Sequence, residues 1–144
     1  MNVVDVNVLV DAHRPDGPRH EAVRQWLDAA RAGDGLLGIP GHVASSFVRI
    51  VTNRRIFDHP TPVADALAFI EVLRASPSVL RIEPGHAHWA LFADICRVSR
   101  VAGDLVPDAW LAALAIENRA TLITADRGFG RYPGLKWRDP LADV

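Results

Sequence analysis

Short β-branched runs alternate along the chain with longer stretches in which apolar residues recur every three to four positions. Val3-Val4 with Val6 reads as a first short strand. Arg19 to Ala32 has Val23, Trp26, Leu27 and Ala30 on one helical face and ends at Gly33 and Gly35. Leu36 to Ile39 reads as a second strand, stopped by Pro40-Gly41. His42 to Thr52 is helical, with Val43, Phe47, Ile50 and Val51 on one side. Pro62 to Ala75 is a further helix with Leu67, Ile70 and Leu73 facing inward and Pro62 near its first turn. Val79 to Ile82 is a strand. His86 to Ser99 is a helix carrying Trp89, Phe92, Ala93 and Cys96. Pro107 to Asn118 is a strongly apolar helix, Thr121 to Thr124 a strand, and Trp137 sits on a last short strand. Strands alternating with helices predict βαβ units and a parallel sheet covered on both faces. Ligands of such sheets bind beyond the carboxyl ends of the strands, so the residues just after each strand matter most.

Composition narrows the class. A length of 144 residues, without repeat, linker or low-complexity stretch, predicts a single domain spanning 1–144. The 49% hydrophobic and 23% charged residues exclude a disordered chain. Cys96 is the only cysteine, which excludes an internal disulfide and a Cys-rich zinc module. Seventeen acids against sixteen bases argue against a strongly basic nucleic-acid-binding arm. No apolar run reaches the roughly 18–20 residues of a membrane span, and the first apolar run is broken at once by Asp5, so a cytoplasmic protein is expected. Lys136 is the only lysine, and Glu21, Glu71, Glu83 and Glu117 are the only glutamates. The chain's charge is therefore carried by arginine and by aspartate, whose short, stiff carboxylate suits metal binding and helix capping.

Three aspartates fall at strand ends or helix starts. Asp5 follows Val3-Val4, Asp126 follows Thr121-Leu122-Ile123-Thr124, and Asp108 opens the apolar helix after Pro107. Each has a plain explanation: Asp108 favours the positive end of a helix, and Asp126 before Arg127-Gly128 suits a turn. Asp5 is harder to explain so, because a carboxylate within an apolar strand is costly unless paired or metal-bound. Met at one sheet edge, the three would repel strongly unless a divalent cation lay between them, and carboxylates with water suit Mg²⁺ or Mn²⁺. Arg14, Arg49, Arg54, Arg55, Arg127 and Arg131 lie near these segments in sequence and suit phosphate contacts. Arg19, Arg24 and Arg31 read as solvated charges. Asp104 reads as a helix N-cap. His86-x-His88 lacks the i, i+4 spacing of paired ligands on a helix. Trp26, Trp89 and Trp110 lie on apolar helix faces and read first as core or as contacts with another chain.

Four segments together resemble the PIN-domain ribonuclease toxins of the VapC family: Val4-Asp5-Val6-Asn7-Val8-Leu9-Val10; Thr52-Asn53-Arg54-Arg55-Ile56-Phe57 after a helix with Phe47 and Arg49; Val106-Pro107-Asp108-Ala109-Trp110-Leu111-Ala112; and Thr121-Leu122-Ile123-Thr124-Ala125-Asp126-Arg127-Gly128-Phe129, followed by Pro133-Gly134-Leu135-Lys136-Trp137. The resemblance implies a three-layer α/β/α PIN-like domain with a short, mainly parallel central sheet. It implies an Mg²⁺-dependent endoribonuclease, with Mn²⁺ as substitute, that is the toxin of a type II toxin–antitoxin system. Its partners would be RNA, a VapB-like antitoxin and a second copy in a homodimer. On that pattern Asp5 and Asp108 are the principal metal ligands, Asp126 reaches the metal directly or through water, and Asn7 orients Asp5. One departure stands out: many members carry a glutamate three residues before the arginine of the middle helix, and here that position is Ser46. It keeps open the alternative of a catalytically weak or inactive PIN-like module that binds RNA or protein. A phosphotransferase using Asp5 as nucleophile fits poorly, because Lys136 is the only lysine available to balance a phosphoaspartate and Asn7 is a poor general acid.

Overall fold

A computed structural model describes residues 1–142; the predicted boundary at 144 lies outside them. Five strands form one sheet: β1 (Asn2–Val4), β2 (Leu37–Pro40), β3 (Val79–Ile82), β4 (Thr121–Ile123) and β5 (Lys136–Arg138). Their spatial order is β3-β2-β1-β4-β5, and every neighbouring pair is parallel. The helices are α1 (Val6–His13), α2 (His20–Ala32), α3 (Gly41–Val51), α4 (Val63–Arg74), α5 (His88–Ser99) and α6 (Val106–Glu117). Helices α1 to α4 form one connected group and α5 packs on α6. The chain builds β1, β2 and β3 in one direction and then returns past β1 to add β4 and β5. With crossovers of one hand, this reversal puts the two helix groups on opposite faces of the sheet, and the three-layer expectation holds.

The first element differs from the sequence reading. Val6 begins a helix rather than closing a strand, and Asp5 is the N-cap of α1, its side chain accepting the Val6 N–H. The β-branched run Val6-Asn7-Val8-Leu9-Val10 mimics a strand. It is helical because Asp5 caps it and because Val8, Leu9 and Ala12 recur on one face that is buried in the core. Leu67 on α4 is exposed while Ile70 and Leu73 are buried, so the apolar stripe of α4 is narrower than its sequence suggests. Gly38 in β2 lies under Ile82 and Val3, where an added Cβ would collide; the glycine lets three strands and their side chains close up. The core gathers Val3, Val4, Leu9, Phe47, Leu114 and Ile123, among others, and Phe129 seals it beneath the short 3-10 helix Arg127–Arg131. Among the described residues, no helix is long and apolar enough to cross a membrane.

Candidate active site at the strand-order reversal

Parallel pairing sets Val4 beside Ile123, so the next residues, Asp5 and Thr124, meet at the carboxyl ends of β1 and β4. This is where the strand order reverses and a crevice opens. The Asp5 N–H donates to the Ile123 carbonyl at 3.0 Å. Asp5 Oδ2 accepts from the Thr124 hydroxyl at 2.8 Å and from Asn7 Nδ2 at 3.0 Å, while Oδ1 accepts the Val6 N–H at 2.7 Å. Asn7 Nδ2 also donates to Thr124 Oγ1 at 3.0 Å, and Asn7 Oδ1 accepts the Ala125 N–H at 3.1 Å. The Asp126 N–H donates to the same Thr124 oxygen at 3.0 Å. Thr124, fully buried, is thus the junction between the first acid and the last. In the sequence it reads only as the end of a strand. The signal available was a hydroxyl two residues before Asp126, spaced to cap that turn.

Asp5 is buried and Asp108 half-buried, whereas Asp126 is exposed and caps the 3-10 helix by accepting the Gly128 N–H at 2.7 Å. Burial pushes the Asp5 carboxyl above its ordinary range; the donors from Thr124, Val6 and Asn7 pull it back, and the charge of Asp126 raises it again. Asp108 is also raised, first by burial and then by Asp5 and Asp126, with Arg131 acting against them. The three aspartates singled out in the sequence therefore share one electrostatic site. Among the described residues, no three His, Cys, Asp or Glu side chains stand close enough to cage an ion by themselves. The donor chemistry fits a hard divalent cation that takes a few carboxylate oxygens and keeps several waters: the acids are mutually repelling, oxygen-only and partly desolvated.

Helix α3 forms the opposite wall. A cavity of about 200 Å³ lies between Asp5 and Asp108 on one side and His42, Ser46 and Arg49 on the other. Ser46 lines it without supplying a carboxylate. His42, one turn before Ser46 and read in the sequence only as the start of a helix, also faces it; burial holds its imidazole pKa below the ordinary value, with Glu83 opposing.

The other expected residues divide. Arg127 and Arg131 flank the acids on the 3-10 helix. Arg54 and Arg55 are exposed beyond the C-terminal end of α3 and line neither wall of the cavity. Arg14 is not available to RNA: it is buried, forks onto Asp16 at 2.6 and 2.9 Å, donates to the His59 carbonyl and lies 4.0 Å over the Phe57 ring. Arg19, read as a solvated charge, instead bridges Asp139 at 2.7 Å and Asp11 at 3.5 Å. Asp104 does not cap α6, whose N-cap is Leu105 without a side-chain bond. His88 is buried with Nε2 3.0 Å from the Trp110 carbonyl, a core role, and Trp89 is 65% exposed rather than core.

Fold and site together define an α/β protein that gathers acidic side chains at the reversal point of a parallel sheet. The sequence profile described as PIN domain matches residues 3–135. Ribonuclease VapC25 of Mycobacterium tuberculosis is 43% identical over 136 residues, covering 94% of this chain and 96% of that protein. VapC ribonuclease Mb2897 of Mycobacterium bovis is 45% identical over 141 residues, covering 98% and 96%. Among solved structures, VapBC2 from Rickettsia felis bound to a promoter DNA fragment superposes with a TM-score of 0.73 at 15% identity, covering 96% of this chain and 97% of that one. VapC20 of Mycobacterium tuberculosis, a Sarcin-Ricin loop cleaving toxin, gives 0.64 at 14% identity, covering 90% and 93%. The chain belongs to the PIN-domain family, in its VapC branch.

Proposed function

We propose that this chain, as a single domain over 1–144, is a metal-dependent endoribonuclease. It hydrolyses RNA phosphodiester bonds as the toxin of a type II toxin–antitoxin pair, in the cytoplasm, with Mg²⁺ as its ion and Mn²⁺ as a substitute. The observation that carries this is the electrostatic site shared by Asp5, Asp108 and Asp126 at the sheet reversal, where burial and neighbouring acids raise the Asp5 and Asp108 carboxyls. Asp5 and Asp108 would hold the cation and Asp126 would reach it directly or through water. When bound, such an ion polarises a phosphoryl oxygen and lowers the pKa of an attacking water.

The chain's own residues do the rest. Asn7 and Thr124 fix the Asp5 carboxylate by donating to one oxygen. The Val6 N–H holds the other. Arg131 beside Asp108 and Arg49 on the α3 wall supply guanidinium donors for phosphate oxygens, Arg127 adds one next to Asp126 on the 3-10 helix, and Arg54 and Arg55, exposed beyond α3, would contact RNA outside the cavity. A VapB-like antitoxin is the expected protein partner, and a homodimer the expected assembly; the Rickettsia felis neighbour is itself a VapBC assembly.

The deciding experiment incubates purified wild type, Asp5→Asn and Asp108→Asn with RNA and Mg²⁺, with a chelator control. Wild type should cleave and the chelator should stop it, and each substitution should lower the rate by about 10²–10³-fold. Full activity in both variants would remove these acids from the reaction. RNA binding without cleavage in either ion would establish the non-catalytic module that Ser46 leaves open.

A further inference from the structure

We infer that the cavity beside Asp126, at the carboxyl ends of β4 and β5, is a nucleotide pocket in which a base next to the cleaved phosphate stacks on Trp137. The inference rests on reading the chain as a ribonuclease and adds where the RNA is gripped. The cavity measures about 600 Å³, a size that suits a small organic ligand. Its walls include Arg19, Ala125, Arg127, Trp137 and Asp139, with Leu141 adding apolar surface.

Three observations point to this ligand. The first is continuity with the acidic centre. Ala125 and Arg127 line the cavity on either side of Asp126, and the Ala125 N–H is held by Asn7 Oδ1 at 3.1 Å. The opening thus adjoins the last acid of the site along the chain, within reach of an RNA strand that passes Asp126. The second is the charge. Asp139 is answered by Arg19 at 2.7 Å, and the nearby Arg127 also favours its ionised form. With the acid answered by Arg19, the Arg127 guanidinium is the cavity's donor for a phosphate. The third is the aromatic surface. Trp137 is half-buried on the edge strand β5, and its indole sits beside Gly130, where an added Cβ would come within 3.5 Å of Nε1. Base stacking on an aromatic face tolerates any base, while arginines fix the backbone, the usual grip on single strands. The other tryptophans do not line this cavity; Trp89 and Trp110 pack with Phe92 instead.

The test follows the Trp137 indole N–H resonance, assigned with Trp137→Phe, while metal-free ¹⁵N-labelled protein is titrated with each ribonucleoside 5′-monophosphate and with ribose 5-phosphate. A saturable shift at Trp137 is expected with the mononucleotides and a much weaker one with ribose 5-phosphate. Arg127→Ala, an exposed position, should weaken mononucleotide binding about ten-fold or more. Trp137→Ala should do the same, followed through shifts of the Ala125 and Arg127 amides, while Trp137→Phe keeps most of the affinity. With RNA, Trp137→Ala should raise KM more than it lowers kcat and shift the preferred cleavage position. No shift at Trp137, or an unchanged KM and cleavage pattern in both Arg127→Ala and Trp137→Ala, overturns the pocket. So does a loss confined to antitoxin binding, which would make this a protein contact. Saturable nucleotide binding by a wild type that cleaves no RNA would support the pocket while removing the ribonuclease reading.

Discussion

Thr124 is uncharged, yet its hydroxyl serves three partners: it donates to Asp5 and accepts from Asn7 and from the Asp126 backbone. Thr124→Val keeps the shape and deletes all three bonds. Asp5 Oδ2 then keeps only Asn7, and the part-buried Asn7 amide and Asp126 N–H each lose an acceptor, at a cost of about 1–3 kcal/mol. Cation affinity and cleavage should each fall by about 10–100-fold, and Thr124→Ser should restore them; calorimetric Mn²⁺ titration and single-turnover cleavage read the two effects. Unchanged affinity in Thr124→Val would show that Asp5 needs no help from β4. Acid has a related effect. Because the Asp5 and Asp108 carboxyls are raised by burial and by neighbouring acids, protons compete with the cation at higher pH than for ordinary carboxylates. Mn²⁺ affinity should therefore weaken as pH falls through a window that opens above the usual aspartate value of 3.8. In Asp108→Asn that weakening should begin at lower pH, since one raised group and one repelling charge are gone.

At the scale of elements, Asp5 has two roles that separate by substitution. It caps α1 and it belongs to the acidic site. Asn caps as well as Asp, whereas Ala does not, and losing a cap costs about 1 kcal/mol. Asp5→Asn and Asp5→Ala should both lose cleavage, but Asp5→Ala should be the less stable by about that amount in urea unfolding. Equal stabilities would mean that packing of Val8 and Leu9, not the cap, holds α1. The same helix shows where the sequence was opaque. Strands β2 to β4 and helices α2 to α6 announced themselves by period and by Gly or Pro stops, because their local preferences agree with their tertiary roles. Val6-Asn7-Val8-Leu9-Val10 has the composition of a strand, and only burial of Val8, Leu9 and Ala12 against the core makes it a helix. The acids were legible because each directly follows a strand or opens a helix. Arg14 and Arg19 were misread because their partners, Asp16 with the His59 carbonyl for one and Asp11 with Asp139 for the other, depend on how loops and strand ends meet. His42 and Trp137 read in the sequence only as a helix start and a strand residue, because only the assembled sheet places them at a cavity.

For the whole molecule, a net charge of −1 conceals a segregated pattern. Arg14, Arg19, Arg24, Arg31 and Arg97 are each bridged to an acid away from the acidic trio, while within the trio the neighbouring acids raise the Asp5 and Asp108 carboxyls. That repulsion has a consequence for stability whose sign follows from linkage. A carboxyl whose folded pKa exceeds its unfolded one holds more protons when folded, so its ionisation penalises the fold. The penalty is absent below the unfolded pKa and grows as pH rises, becoming complete above the folded pKa. Asp5 and Asp108 are raised in this way, so the metal-free chain carries more of this penalty near neutral pH than near the ordinary aspartate value. A divalent cation should relieve it, stabilising the fold by about 2.7 kcal/mol in all at a hundred-fold excess over Kd, a rise in melting temperature of roughly 5–10 °C for a chain of this size. Asp108→Asn should melt above wild type in chelator near neutral pH, and the gap should narrow as pH falls toward the ordinary aspartate value. Asp16 and Asp139, whose carboxyls are lowered by their arginine partners, lose stability in acid in both proteins alike and cancel in the difference. The same substitution should remove most of the cation's increment. If Asp108→Asn melted below wild type in chelator, or gained as much from Mn²⁺, the acids would not be the repelling, cation-demanding cluster that the sheet reversal brings together.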